Sequence, residues 1–174
     1  ERIVTFYEEI AKLKTLLRRG WLMRDVDKIN GGMRVESDGE HTYSMILLAL
    51  EMMNKHDLKL DQLKVLKMIA YHELCEIDAD DITPFDNVTK EEKHRREHQC
   101  IKRLAKEYKM PEIETIWLEF EEENTPEAKF VKKIDHYDAA LQAKIYSKMK
   151  GDNDLYDEFH SNCAFSEELD KFDL

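Results

Sequence analysis

Apolar residues recur along this chain at the three- and four-residue spacing of a helix face. Ile3, Phe6, Tyr7, Ile10, Leu13, Leu16 and Leu17 predict a first helix over residues 3–18, with Gly20 as its C-terminal cap. Asn30-Gly31-Gly32 breaks any period, so residues 21–40 predict an irregular connection. A second helix over 40–55 places Tyr43, Ile46, Leu47, Leu50 and Met53 on one side. The third, over 61–77, turns Leu63, Leu66, Ala70, Leu74 and Ile77 to a core, with Val65, Ile69, His72, Glu73 and Glu76 as a stripe beside that face. Ile82-Thr83-Pro84 predicts its stop, because the residue before proline avoids the α region. Thr89 with Glu92 fits a capping box that opens a fourth helix through Tyr108. Pro111 starts a fifth, and Thr125-Pro126 a sixth that runs to about Lys148 with Phe130, Val131, Ile134, Tyr137, Leu141 and Ile145 buried. The tail from Gly151 predicts one or two short helices. The pattern as a whole predicts an all-α bundle of six or more helices in a single domain.

Composition sharpens this picture at three points. With 174 residues, 5 Gly, 3 Pro and 37% charged side chains, the chain suits long helices and short connections. It holds no apolar run near the roughly 18 residues that span a bilayer. Its first residues do not read as a signal peptide, so a soluble cytoplasmic protein is expected. A net charge of -11 disfavours nucleic acid polymers and anionic membranes as partners and leaves small polar ligands. Cys75, Cys100 and Cys163 are odd in number and widely spaced, which suggests neither a disulfide framework nor a structural zinc knuckle.

Candidate chemistry concentrates between Met68 and Pro84, where a histidine and several carboxylates close an apolar helix. Ionised carboxylates at the edge of a core are costly unless a cation or hydrogen bonds compensate them, which makes metal the first expectation. His72 and Glu76 taken alone also fit an ordinary surface pair one helical turn apart. His41 stands in the first turn of its helix, where the dipole disfavours an imidazolium and favours the neutral ring that a metal needs. Asp135 sits beside Ile134 in the middle of a long helix and requires a positive partner. His94 and His98 lie in a charge run that reads as a solvated face. His72-Glu-Leu-Cys-Glu76 begins like the zinc-protease sequence His-Glu-x-x-His and fails it at Glu76.

His41, the pair His72-Glu73, and Asp135 lie on three predicted helices in the order His, His with carboxylate, Asp. This order resembles the HD-domain phosphohydrolases, and most closely their 5'-deoxynucleotidase branch. Arg34, Glu36, Ser37, Glu40 and His41 match that branch around its first ligand, and His72 through Pro84 is similar to its His-Asp-x-x-Glu…Gly-Asp-Ile-x-Pro signature. Residues 86–97 and 127–135 are similar to its later segments. The resemblance implies a divalent ion (Mn, Co, Zn, Fe or Ni) held by His41, His72, Glu73 and Asp135. It implies Glu76 as the group that handles the proton, Asp81 at the sugar, Arg24 on the phosphate and Trp21 as a wall for the deoxyribose. It also implies a homodimer and a deoxyribonucleoside 5'-monophosphate substrate. Glu73 stands where the family has Asp, Asp80 where it has Gly, and the connection from Arg24 to Arg34 is longer than usual. A non-catalytic relative that binds nucleotide or a protein partner is the alternative reading of Glu73.

Overall fold

The computed structural model describes residues 5–32, 34–78, 88–161, 163–165 and 167. Among these, α1 is Phe6–Ala11, α2 Arg19–Leu22, α3 Asp38–Lys55, α4 Gln62–His72, α5 Lys90–Glu107, α6 Glu112–Glu122, α7 Pro126–Lys150 and α8 Asp154–His160. Short 3-10 turns follow α1 at Lys12–Lys14, α2 at Val26–Gly31 and α4 at Leu74–Ile77. The fold is all-α, as the periodicity predicts.

The helix starts have local causes. Ser37 caps α3 in a closed box with Glu40, and Asp61, Thr89 and Thr125 each accept the backbone N–H three residues on. At α5 the box stays half-made, because the Glu92 carboxylate instead pairs with Arg95 and Arg96, each at 2.7 Å. α7 ends at Gly151, whose φ of 87° suits the left-handed cap.

The first predicted helix is shorter in the structure. It ends at Lys14, and residues 16–18 become extended so that Arg18 N–H donates to Glu36 O at 3.0 Å and Asp38 N–H to Leu16 O at 2.8 Å. This clasp, with its bridge from Leu17 to Ser37, offers those backbone groups partners that the helix would otherwise supply. Gly20 therefore lies inside α2 rather than capping α1. Gly39 serves the same junction, since a Cβ there would come within 3.2 Å of Leu13 O. The predicted stop at Ile82-Thr83-Pro84 lies outside the described residues.

Three apolar clusters fill the bundle. The largest joins Met45, Ala49 and Met52 of α3, Val65, Met68 and Ile69 of α4, Phe120 of α6 and Val131 and Ile134 of α7. A second lies under α5 and α6 around Ile101, Leu104, Ile113 and Trp117, and a third packs Trp21 and Val26 against Ala143, Tyr146 and Leu155. No helix among the described residues is long and apolar enough to cross a membrane.

The buried faces of α3 and α4 are rotated from those the apolar spacing predicts. Tyr43, Leu47, Leu50 and Leu63 are exposed, whereas Met45, Ala49, Met52, Val65, Met68 and Ile69 are buried. His41 continues the first buried stripe and His72 the second, while Glu73, Glu76 and Asp135 stay partly exposed, so the polar cluster starts in the interior and reaches its border. Met68→Ala should cost about 2–5 kcal/mol through transfer and cavity effects, while Leu63→Ala should stay within about 0.5 kcal/mol. Urea unfolding of the two variants checks this, and equal losses would restore the other face.

Candidate metal centre

α3 carries His41 inward, fully buried, on its second turn. His72 is the last residue of α4, and there the backbone tightens into the 3-10 turn, with Glu76 N–H donating to Glu73 O at 3.1 Å. Glu73 closes α4 with φ −93° and ψ 0°, and its long side chain reaches back to the histidines although neighbours on a helix diverge by about 100°. Glu73 Oε1 instead lies 3.3 Å from His72 Nε2 and 3.7 Å from His41 Nε2. Asp135 descends from α7, with Oδ1 3.1 Å from His41 Nε2. One ligand atom from each of His41, His72 and Asp135 lies within 4.8 Å of the others.

Both imidazoles are oriented from behind. His41 Nδ1 meets Asp138 Oδ2 at 2.6 Å, and His72 Nδ1 meets the Ile69 carbonyl at 2.6 Å. Acceptors at Nδ1 fix the proton there and turn Nε2 toward the shared gap. Ser44 donates to the other oxygen of Asp138 and holds that carboxylate. Among the described residues neither Nε2 has a hydrogen-bond partner, although Asp135 Oδ1 lies 3.1 Å from His41 Nε2. A buried, unsatisfied nitrogen costs about 1–3 kcal/mol, and a cation accepting both lone pairs removes that cost. Imidazole nitrogen and carboxylate oxygen together suit Zn, Mn, Fe, Co or Ni, so these residues fit a divalent ion.

Electrostatics explain how so many carboxylates share the interior. Arg18 Nη1 donates to Glu73 Oε1 at 2.7 Å, and its Nε is 3.8 Å from Glu36. Burial alone would raise the Glu73 carboxyl, but His72, Arg18 and His41 hold it down at about 2. Burial likewise opposes ionisation of Asp135, and His41, His72 and Arg18 hold that group below its ordinary value. At Asp38 burial followed by the Glu73 charge outweighs the help of Arg18, His41 and His72 and pushes the carboxyl up to about 7. Glu76 is pushed up to about 7 as well, by burial, then Glu73 and Glu97. Burial and Arg18 press the His41 ring toward neutrality, yet Asp135 and Asp138 outweigh them and raise it to about 9. The helix start predicts a neutral His41, but without metal the two carboxylates win.

The other sequence candidates lie further out. Trp21 is buried, with Nε1–H donating to Glu36 at 2.8 Å and its ring packed against Tyr146 and Phe159. Arg24 is exposed and pairs with Glu158 while its Nη1 donates to Gly20 O at 2.7 Å. Asp81 lies outside the described residues. Arg18 and Asp138 are the important residues that the sequence reading did not name. Arg18 sat in an Arg-Arg-Gly run taken for a helix end, and Asp138 follows Asp135 by three positions on the same face, a spacing that could have marked it.

An HD domain model matches residues 10–172. The chain belongs to this family. It is 32% identical over 165 residues to the 5'-deoxynucleotidase HDDC2 of Bos taurus, covering 93% of this chain and 76% of that protein. It is 35% identical over 161 residues to the 5'-deoxynucleotidase hdd1 of Schizosaccharomyces pombe, covering 88% and 77%. A conserved hypothetical protein of Pyrococcus furiosus superposes with a TM-score of 0.72 at 26% identity, covering 94% of this chain and 96% of the other. The HD domain has an all-α fold, and the order His41, His72-Glu73, Asp135 runs through the matched segment.

Two outcomes test the centre. Asp138→Asn should keep the fold and weaken divalent-ion affinity by about 10- to 100-fold, the usual effect of losing the carboxylate behind a ligating histidine. Competition with a chelating dye measures this, and unchanged affinity would remove Asp138 from the centre. Because His41 titrates near 9 without metal, it is protonated at pH 7–8 and must lose that proton to bind an ion. Ion affinity should therefore fall as pH drops below about 9, with protons released on binding. Calorimetry in buffers of different ionisation enthalpy reads the release, and a buffer-independent heat would contradict it.

Proposed function

We propose that this chain is a metal-dependent 5'-deoxynucleotidase that hydrolyses deoxyribonucleoside 5'-monophosphates to deoxynucleoside and phosphate. The observation that carries the reading is the pair of buried Nε2 atoms of His41 and His72, without hydrogen-bond partners among the described residues, beside the Asp135 carboxylate. The relatives from Bos taurus and Schizosaccharomyces pombe are 5'-deoxynucleotidases, which supports the substrate class.

His41, His72 and Asp135 would hold the ion, with Glu73 as the fourth ligand once its carboxylate is shared with Arg18. A divalent ion there supplies Lewis acidity, lowering the pKa of water and polarising a phosphoryl oxygen. Glu76 is half-buried beside this group, and a carboxyl poised at about 7 can both accept and return a proton near neutral pH. It takes the proton of the attacking water and gives one to the departing sugar oxygen. Asp81 contacts the sugar in this reading. For Arg24 to clamp the phosphate, its guanidinium has to leave Glu158, an exchange of one anion for another at an exposed position. Trp21, fixed by Glu36, shapes the wall behind it.

The rival reading, a binding-only relative, draws on the Arg18–Glu73 pair at 2.7 Å, which already gives Glu73 an internal cation. One assay separates the two. The purified chain should release phosphate from deoxyribonucleoside 5'-monophosphates with added Mn or Co and lose this activity to chelator. Glu76→Gln should keep its ion and lower turnover by about 10² or more. A panel of nucleotides and ions without phosphate release would favour the binding-only protein, and loss of the ion in Glu76→Gln would make Glu76 a ligand.

A further inference from the structure

The apolar stripes that spacing assigns to a core on α3 and α4 point away from it, which leaves α3 apolar on two opposite sides. Met45, Ala49 and Met52 fill the bundle, while Tyr43 is 65%, Leu47 50% and Leu63 63% exposed. A surface helix normally carries charged or polar residues on the side away from the core. Single exposed apolar side chains are ordinary, but a contiguous group marks a surface that meets something.

The fold makes this group contiguous. α3 and α4 pack together in the largest core cluster, and the rings of His41 and His72 lie 5.5 Å apart, which levels the two helices at that point. α3 runs away from this level and α4 runs up to it, so equal steps along each reach equal heights. Two, six and nine residues from the histidines, Tyr43 falls beside Ala70, Leu47 beside Leu66 and Leu50 beside Leu63. Leu50 and Ala70 are exposed as well, and Leu66 is half-buried. None of the six side chains is charged. Two helices of these lengths, each about 10 Å wide, give a flat footprint of roughly 400 Å². Side-chain relief enlarges it toward the roughly 800 Å² that each side of a standard protein interface buries.

The long edges of this face differ. Glu40 and Glu51 follow the edge of α3 away from α4, with Glu40 held by Arg34. Lys64 and Lys67 line the edge of α4 next to α6, where they meet Glu119 and Glu112.

We propose that two copies of the chain join through this face, with a two-fold axis running along α3 and α4, so that α3 of each copy lies over α4 of the other. A net charge of -11 makes two copies repel over most of their surfaces, and a charge-free face is where they approach at least cost. The same charge disfavours an anionic membrane as the occupant. A two-fold along the helices sets the Glu51 edge of each copy over the lysine edge of the other, whereas one running across them would lay the Glu40–Glu51 edge over itself. The join lies behind the two helices that carry His41 and His72 and braces both.

Sedimentation velocity tests this over about 1–100 µM protein, the range in which ordinary dimers form. The native chain should sediment at twice its 20.7 kDa. Leu47→Glu and Leu63→Glu each put a charge into the contact and should raise the dimer dissociation constant by about 100-fold or more. Helix content should stay native in both, because these positions face water in a single copy. Glu51→Lys should weaken the dimer by about threefold or more, and adding Lys64→Glu to the same chain should recover it. A native chain that stays at 20.7 kDa throughout, or dimers that survive both glutamates, would overturn the proposal. A charge reversal without recovery would overturn the axis along the helices. The readout is mass, so a chain inert toward every nucleotide would defeat the proposed function and leave this result standing.

Discussion

Burying charge is the constraint around which this bundle is arranged. Glu73, Asp135 and Asp138 meet His41 and His72 where α3, α4 and α7 pack, and Arg18 reaches in from the segment before α2 to contact Glu73. Without Arg18 the Glu73 carboxylate would face a low-dielectric interior with only imidazoles for support. A divalent ion changes that balance. It takes over part of the neutralising role of Arg18 and releases the His41 proton, so its binding energy adds to the stability of the helical core.

The geometry follows from a few local choices. Glu73 is the residue at which α4 passes into the 3-10 turn, and its carboxylate reaches back beside the His72 ring. Asp138 and the Ile69 carbonyl then fix the two rings from behind, which leaves little freedom for a misdirected nitrogen. Asp138 is itself held by Ser44, one turn along the helix that bears His41. α3 and α7 thus contribute both the members of the cluster and the groups that brace them.

Much of this was legible in the sequence. Capping residues at Thr89 and Thr125 and the proline at 126 marked helix starts to within a residue or two, because caps are local chemistry. His41, His72, Glu73 and Asp135 stood out as polar residues on otherwise apolar elements. The inward faces of α3 and α4 were not legible. Apolar spacing ranked Tyr43, Leu47 and Leu63 as core, whereas the histidines decide which side turns in, and that choice is made by the partners they meet on α7. Arg18 escaped notice for the same reason, since its partners, Glu36 and Glu73, become neighbours only through the clasp between residues 16–18 and 36–38.

That clasp has an evolutionary corollary. It ties the chain off just before Arg18 and again just ahead of α3, so everything between the two strands is a closed loop whose length is set independently of the ligands. Closing a longer loop is cheap, about 0.6 kcal/mol for each doubling of its length. Residues can accordingly be inserted or deleted around Lys28–Gly32 while His41 and Arg18 keep their places. Such an anchor lets the outer surface vary in length while the side chains that meet at the centre of the bundle keep their relative places.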